Sequence, residues 1–90
     1  MDKFSRKERI ENVLNKSFAP QTLVVRDDSK HHQGHMQVDA GSEETHFYVK
    51  MTLDFPKGDT KITLHRKVYK LLEKEFAGGL HALELKLTKN

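Results

Sequence analysis

The stretch DDSKHHQGH at residues 27–35 places three of the chain's six histidines within five positions. His31, His32 and His35 offer imidazole nitrogens, borderline donors suited to zinc, copper and iron, and Asp27 and Asp28 offer carboxylate oxygens beside them. A self-contained zinc site needs four ligands fixed from both sides. The residues that follow, MQVDAGSEET, instead have the composition of a polar loop. Spacing alone leaves two readings open: a metal-binding segment, or a solvated loop rich in imidazole.

Three further histidines stand apart from this stretch. His81 follows a Gly-Gly pair at the mouth of an apolar alternation and shares its parity with Leu83 and Leu85. The plain reading of such a residue is a partly buried imidazole bonded to backbone. His65 falls within the apolar arc of a helical segment, as a packed, hydrogen-bonded ring would. His46 alternates to the open face of its strand and reads as exposed. A cationic arc, Arg66, Lys67, Lys70 and Lys74, could meet phosphate, or could be the solvated face of a surface helix. No aromatic residue is interleaved with it to stack a base. The glycines at 34, 41, 58, 78 and 79 are never three apart, so a G-x-x-G backbone clamp is absent. No H-E-x-x-H and no nucleophile motif occurs, so the chain reads as a binding protein rather than an enzyme, with no small-molecule substrate.

Composition narrows the field. Ninety residues suffice for one domain with a modest core. With no cysteine there is no disulfide framework, no thiolate metal site and no thiol nucleophile. The charged opening MDKFSRKERIE lacks the apolar core of a signal peptide, and no apolar run is long enough to span a membrane, so a cytoplasmic setting is expected. Sixteen basic residues against thirteen acidic ones give +3, a mildly basic balance that permits nucleic-acid contact without requiring it.

The elements that must position these groups follow from periodicity. Ser5 and Glu8 form a capping box, and Ile10, Val13 and Leu14 line one face of a helix that Pro20 ends near Phe18. TLVVRD (22–27) is strand-like, and a long polar stretch, about 28–45, follows as a flexible loop. In HFYVKMTLD (46–54), Phe47, Val49, Met51 and Leu53 alternate strictly with polar residues, which predicts a strand with one buried face. After the turn FPKGDT, with Asp59 or Thr60 as cap, Lys61 to Phe76 reads as one helix. Its apolar stripe is Leu64, Val68, Leu71 and Leu72, extended by Tyr69 and Phe76. Gly78 and Gly79 end it, and LHALELKL (80–87) is a last strand. The expectation is a single α+β domain of α-β-β-α-β order, its helices on one face of a three-stranded sheet.

DDSKHH, GSEETHFYV, HRKVY within a helix, and GGLHALELK, in that order and spacing, resemble the BolA family across most of the chain. An acidic-Ser-x-x-His pattern ends at His32, and Gly34-His35 resembles the longer loop of many bacterial members. Gly41, Ser42, His46 and Phe47 resemble G-S-E-S-H-F, and Gly79, His81, Ala82 and Leu83 resemble the final G-x-H-A-L. Two departures fall in the helix proposed to touch DNA in this family. Leu64 stands where R-H-R has its first arginine, and the preceding turn is one residue longer. The resemblance implies a fold similar to type II KH domains and a heterodimer with a monothiol glutaredoxin sharing a 2Fe-2S cluster. The partner's cysteine and glutathione would hold one side, and His81 with a loop histidine, His32 or His35, the other. No cofactor is implied for the isolated protein. Two nitrogens on one iron resemble the Rieske pattern, which raises reduction potential over an all-thiolate cluster. A DNA-binding regulator of stress or morphology, with weak DNA binding through the second helix, is the alternative. A plain zinc- or copper-binding loop protein is a third reading.

Overall fold

Ser5 accepts the backbone N–H of Glu8 while the Glu8 carboxylate accepts the N–H of Ser5, so the expected capping box starts helix α1 (Arg6–Phe18). The computed structural model describes residues 4–29 and 45–90. The expected flexible loop at 28–45, with His31, His32 and His35, therefore lies outside the described residues except at Asp28, Ser29 and Thr45. Ile10 and Leu14, one helical turn apart, are fully buried. The chain leaves α1 through Ala19 in a left-handed conformation (φ 45°), with Pro20 preventing continuation.

Strand β1 (Thr22–Asp27) runs antiparallel to β2 (His46–Leu53), with Val25 opposite Val49. Every second residue of β2 is buried, from Phe47 to Leu53, as the alternation predicts. Helix α2 (Lys61–Leu71) is capped by Thr60, which exchanges hydrogen bonds with Thr63, and it carries the crossover to β3 (Ala82–Lys89). β3 lies parallel to β2, so the sheet is mixed, in the order β1-β2-β3. Ile10, Leu14, Leu64, Val68 and Leu72 from the helices join the inward residues of all three strands in one core, with both long helices on the same face of the sheet.

Three expectations need correction. The helix expected over 61–76 is broken at Leu72 (φ −96°, ψ 13°), and Glu73–Ala77 forms a separate short α3, so the order is α-β-β-α-α-β. No glycine or proline marks the break. Beyond it, the Glu75 carboxylate meets Arg6 and Arg9 of α1. Leu71, assigned to the apolar stripe, is exposed, because it lies at the flank of α2 beside the hollow bordered by Lys70 and Lys74. The last strand begins at Ala82 rather than Leu80, because the backbone through Gly79 (φ 127°) is still turning.

Candidate functional site

The parallel pairing of β2 and β3 sets the starts of both strands at one end of the sheet, with His46 in register with Ala82. The Thr45 carbonyl accepts the backbone N–H groups of both His81 (2.8 Å) and Ala82 (3.1 Å). Two bonds to one carbonyl fix the backbone of His81 while its side chain stays exposed. The partly buried imbedded reading suggested by parity is thus corrected: strand alternation begins one residue later, at Ala82.

His46, read from sequence as simply exposed, is half-buried beside His81. Their ring centroids lie 6.4 Å apart with planes tilted by 46°. The His46 Nδ1 sits 2.9 Å from the Thr45 hydroxyl, which orients the ring. The usable sequence signal is that His46 opens one apolar strand and His81 immediately precedes another. In a parallel pair, strand starts meet.

Asp27 and Asp28, the carboxylates of the opening motif, have structural partners. Asp27 accepts both the backbone N–H and the hydroxyl of buried Ser29. Asp28 accepts two bonds from Arg26, at 2.6 and 3.1 Å, and the Arg26 guanidinium also lies over the Tyr48 ring. This pairing holds the Arg26 pKa above its ordinary value. The Asp28 N–H donates to the His46 carbonyl at 2.7 Å, so both described ends of the 30–44 segment, Ser29 and Thr45, are anchored next to the histidine pair.

The approach to His81 is clamped from the other side. Glu75 accepts from Arg6 Nε (2.8 Å), Arg9 Nε (2.8 Å) and Arg9 Nη2 (2.9 Å), and Arg6 Nη2 donates to the Gly78 carbonyl (2.9 Å). The Arg9 guanidinium, with Arg6 second, depresses the Glu75 pKa against the opposing effect of burial. The Leu80 N–H donates to the Glu75 carbonyl, and Leu80 is buried. This network ties α1 to the turn that delivers His81, and its charged members, Arg6, Arg9 and Glu75, were not singled out from sequence. The pairing spans almost the whole chain.

His65 is half-buried, with Nε2 3.4 Å from the Leu85 carbonyl, consistent with the structural role expected of it. The cationic arc divides. Lys67 is tied to Asp59 at 2.9 Å, and this bond, with one from Thr63, lowers the Asp59 pKa. Lys67, Lys70 and Lys74 border one hollow with Lys16 and exposed Leu71, whereas Arg66 lines a different groove, between α2 and β3. Three of the four cations therefore share one surface with Lys16, and Arg66 stands apart. Leu64, where the family's pattern has an arginine, is fully buried, so that departure replaces a cation with core.

Among the described residues no three His, Cys, Asp or Glu side chains are brought together as a metal site, so His81 would need donors from elsewhere to complete one. No helix of the described residues is long and apolar enough to cross a membrane.

Helices over a small mixed sheet, with two imidazoles where parallel strands begin, define an α+β domain of the BolA type. The chain belongs to this family: residues 14–90 match the family described as BolA-like protein. SufE-like protein 1, chloroplastic/mitochondrial, of Arabidopsis thaliana is 40% identical over 84 residues. That match covers 90% of this chain but 23% of the relative, so the chain spans under a quarter of that protein's length. The DNA-binding transcriptional regulator BolA of Escherichia coli (strain K12) is 39% identical over 79 residues, 88% of this chain and 70% of that one. Among solved structures, BolA1 from Arabidopsis thaliana superposes with a TM-score of 0.81 at 36% identity, covering 98% of this chain and 95% of that one.

Proposed function

We propose that this chain is an accessory factor in iron–sulfur cluster trafficking and iron homeostasis, pairing with a monothiol glutaredoxin and sharing a 2Fe-2S cluster with it. It binds and tunes rather than catalyses. The observation that carries the reading is His81: an exposed imidazole on a backbone fixed by the Thr45 carbonyl, beside the anchored ends of a histidine-bearing segment. Neutral imidazole is a suitable iron donor, and a preorganised first ligand lowers the entropic cost of assembling the rest. His32, which keeps the family's spacing from the first strand, is the preferred second donor and His35 the alternative. The cluster would supply electron-transfer or cluster-donor chemistry. This chain's residues would hold one face of it, with partner and glutathione thiolates on the other.

A DNA-binding regulator is the second reading, favoured by the name of the Escherichia coli relative. Lys16, Lys67, Lys70 and Lys74 share one surface, but Lys67 is paired with Asp59, and so small a set of phosphate contacts without base readout argues for weak, sequence-tolerant binding. A cytoplasmic setting also belongs to the proposal. The plant relative is named for chloroplast and mitochondrion, so fractionation of cells decides that point.

The test is to mix the chain with a monothiol glutaredoxin, glutathione, iron and sulfide under anaerobic conditions. A coloured heterodimer whose visible spectrum differs from that of glutaredoxin treated alone supports the reading. A mixture whose spectrum is the sum of the separate components refutes it.

A further inference from the structure

The strand order makes β3 an edge of the sheet, and α2 lies along it. Between them runs a groove of about 650 Å³. Its floor is apolar: Leu85 and Leu87 from β3, Tyr69, and Ile62, whose side chain stands 64% exposed in the first turn of α2. An isoleucine so exposed gains nothing from the fold, and full burial of such a side chain is worth about 1.5–3 kcal/mol. Around the floor stand Lys61, Arg66 and Lys86, and no acidic residue lines the groove. Among the described residues these three cations form no ion pair, whereas Arg6, Arg9, Arg26 and Lys67 each have a carboxylate partner.

Two features decide what could fit. Edge strands commonly recruit another strand through unpaired backbone groups. Here the Leu83 carbonyl already accepts the Tyr69 hydroxyl at 2.8 Å, and the Leu85 carbonyl faces His65 Nε2 at 3.4 Å, so α2 covers that edge. Nucleic-acid bases would need open ring faces. Tyr69 is stacked between His65 (centroids 5.4 Å, planes 29°) and Phe76 (5.2 Å, 17°), so both of its faces are taken. What remains is side-chain recognition on an apolar floor within a positive rim.

We propose that the α2–β3 groove is a docking site for an acidic amphipathic helix of a partner protein, with aliphatic anchors seated against Ile62, Leu85 and Leu87 and carboxylates toward Lys61, Arg66 and Lys86. Helices recognised in this way present apolar residues at i, i+3, i+4 and i+7. Charge complementarity selects the acidic class and speeds encounter, while the aliphatic anchors supply most of the affinity. The site goes beyond the cluster-sharing reading. Ile62 and Lys61 lie at the start of α2, and Lys86 lies roughly 16 Å along β3 from His81.

The test uses a synthetic peptide of about 16 residues, with leucines at that helical spacing and glutamates elsewhere, titrated into the isotope-labelled chain and followed by NMR. Shifts should map to residues 61–69 and 85–87. Ile62→Asp should weaken binding at least about tenfold without lowering the melting temperature, because the residue is mostly exposed and an acidic side chain is favourable in the first turn of a helix. His81→Ala should bind the peptide as the parent does, which separates this site from the cluster site. Reversing Lys61, Arg66 and Lys86 together to glutamate should transfer the preference to a lysine-substituted peptide. The proposal fails if no shifts appear at these residues, or if a scrambled peptide of equal charge binds as well. It also fails if Ile62→Asp binds like the parent, or if dodecanoate or oligothymidylate occupies the groove more tightly than the peptide.

Discussion

Replacing Glu75 by glutamine should destabilise the domain in a way that depends on pH. The carboxylate accepts three bonds from two guanidinium groups at 2.8–2.9 Å, and the side chains of Arg6, Arg9 and Glu75 are 11%, 27% and 15% exposed. Glutamine can keep the Oε1 bonds from Arg6 and Arg9 but turns an amide donor toward the Arg9 Nε–H that Oε2 accepts in the parent. Hydrogen bonds to charged groups contribute about 1.5–3 kcal/mol net, and fully exposed pairs about 0–1. A partly exposed network falls between, so a loss of about 1–2 kcal/mol is expected. For a domain of this size that lowers the melting temperature by about 5–10 °C. Because the Glu75 pKa is depressed below its ordinary 4.5, its stabilisation is complete above that value and is lost as pH falls through the folded pKa. Thermal denaturation followed by circular dichroism should therefore show a full gap between parent and variant at neutral pH. The gap should narrow below pH 4.5. A gap of the same size at about pH 3, or none at neutral pH, would refute the assignment of the clamp to ionised Glu75.

Leu64→Ala removes a side chain with no exposed surface and should cost about 2–5 kcal/mol in urea denaturation; a cost under about 1 kcal/mol would mean that the core is not packed as described. Gly79→Ala should cost about 1–3 kcal/mol, because φ is 127° there; the added methyl itself meets Arg6 only at ordinary contact distance, so melting curves report backbone strain alone. Asp59→Asn releases Lys67 from its partner, and weak binding to duplex DNA should strengthen with a log–log salt slope steeper by about 0.9 if Lys67 then meets a phosphate.

The local parts of this architecture were readable in the sequence. The Ser5–Glu8 box, the strict alternation of Phe47, Val49, Met51 and Leu53, and the Thr60 cap each depend on residues within a few positions of one another. Non-local consequences were not readable. The break at Leu72 carries no glycine or proline signal, and the contact of Glu75 beyond it with Arg6 and Arg9 joins residues more than sixty positions apart. The meeting of His46 and His81 depends on β2 and β3 being parallel, and alternation alone does not give pairing direction. Likewise the cationic arc looked continuous on a helical projection, yet Arg66 lines the groove toward β3 while Lys67, Lys70 and Lys74 line the hollow toward α1. His81 was legible as a site residue through the GGLHALELK motif, but its exposure was not, because its parity extended a strand that begins one residue later.

The central claim is that this chain, through His81, gives a nitrogen ligand to a shared cluster. The most direct measurement is pulsed electron paramagnetic resonance on the reduced complex with glutaredoxin, with 15N-histidine incorporated into this chain alone. The account predicts strong histidine nitrogen couplings that change with the label and that are lost in part when the labelled chain carries His81→Ala. Couplings that ignore the label, or that survive unchanged in His81→Ala, would contradict it.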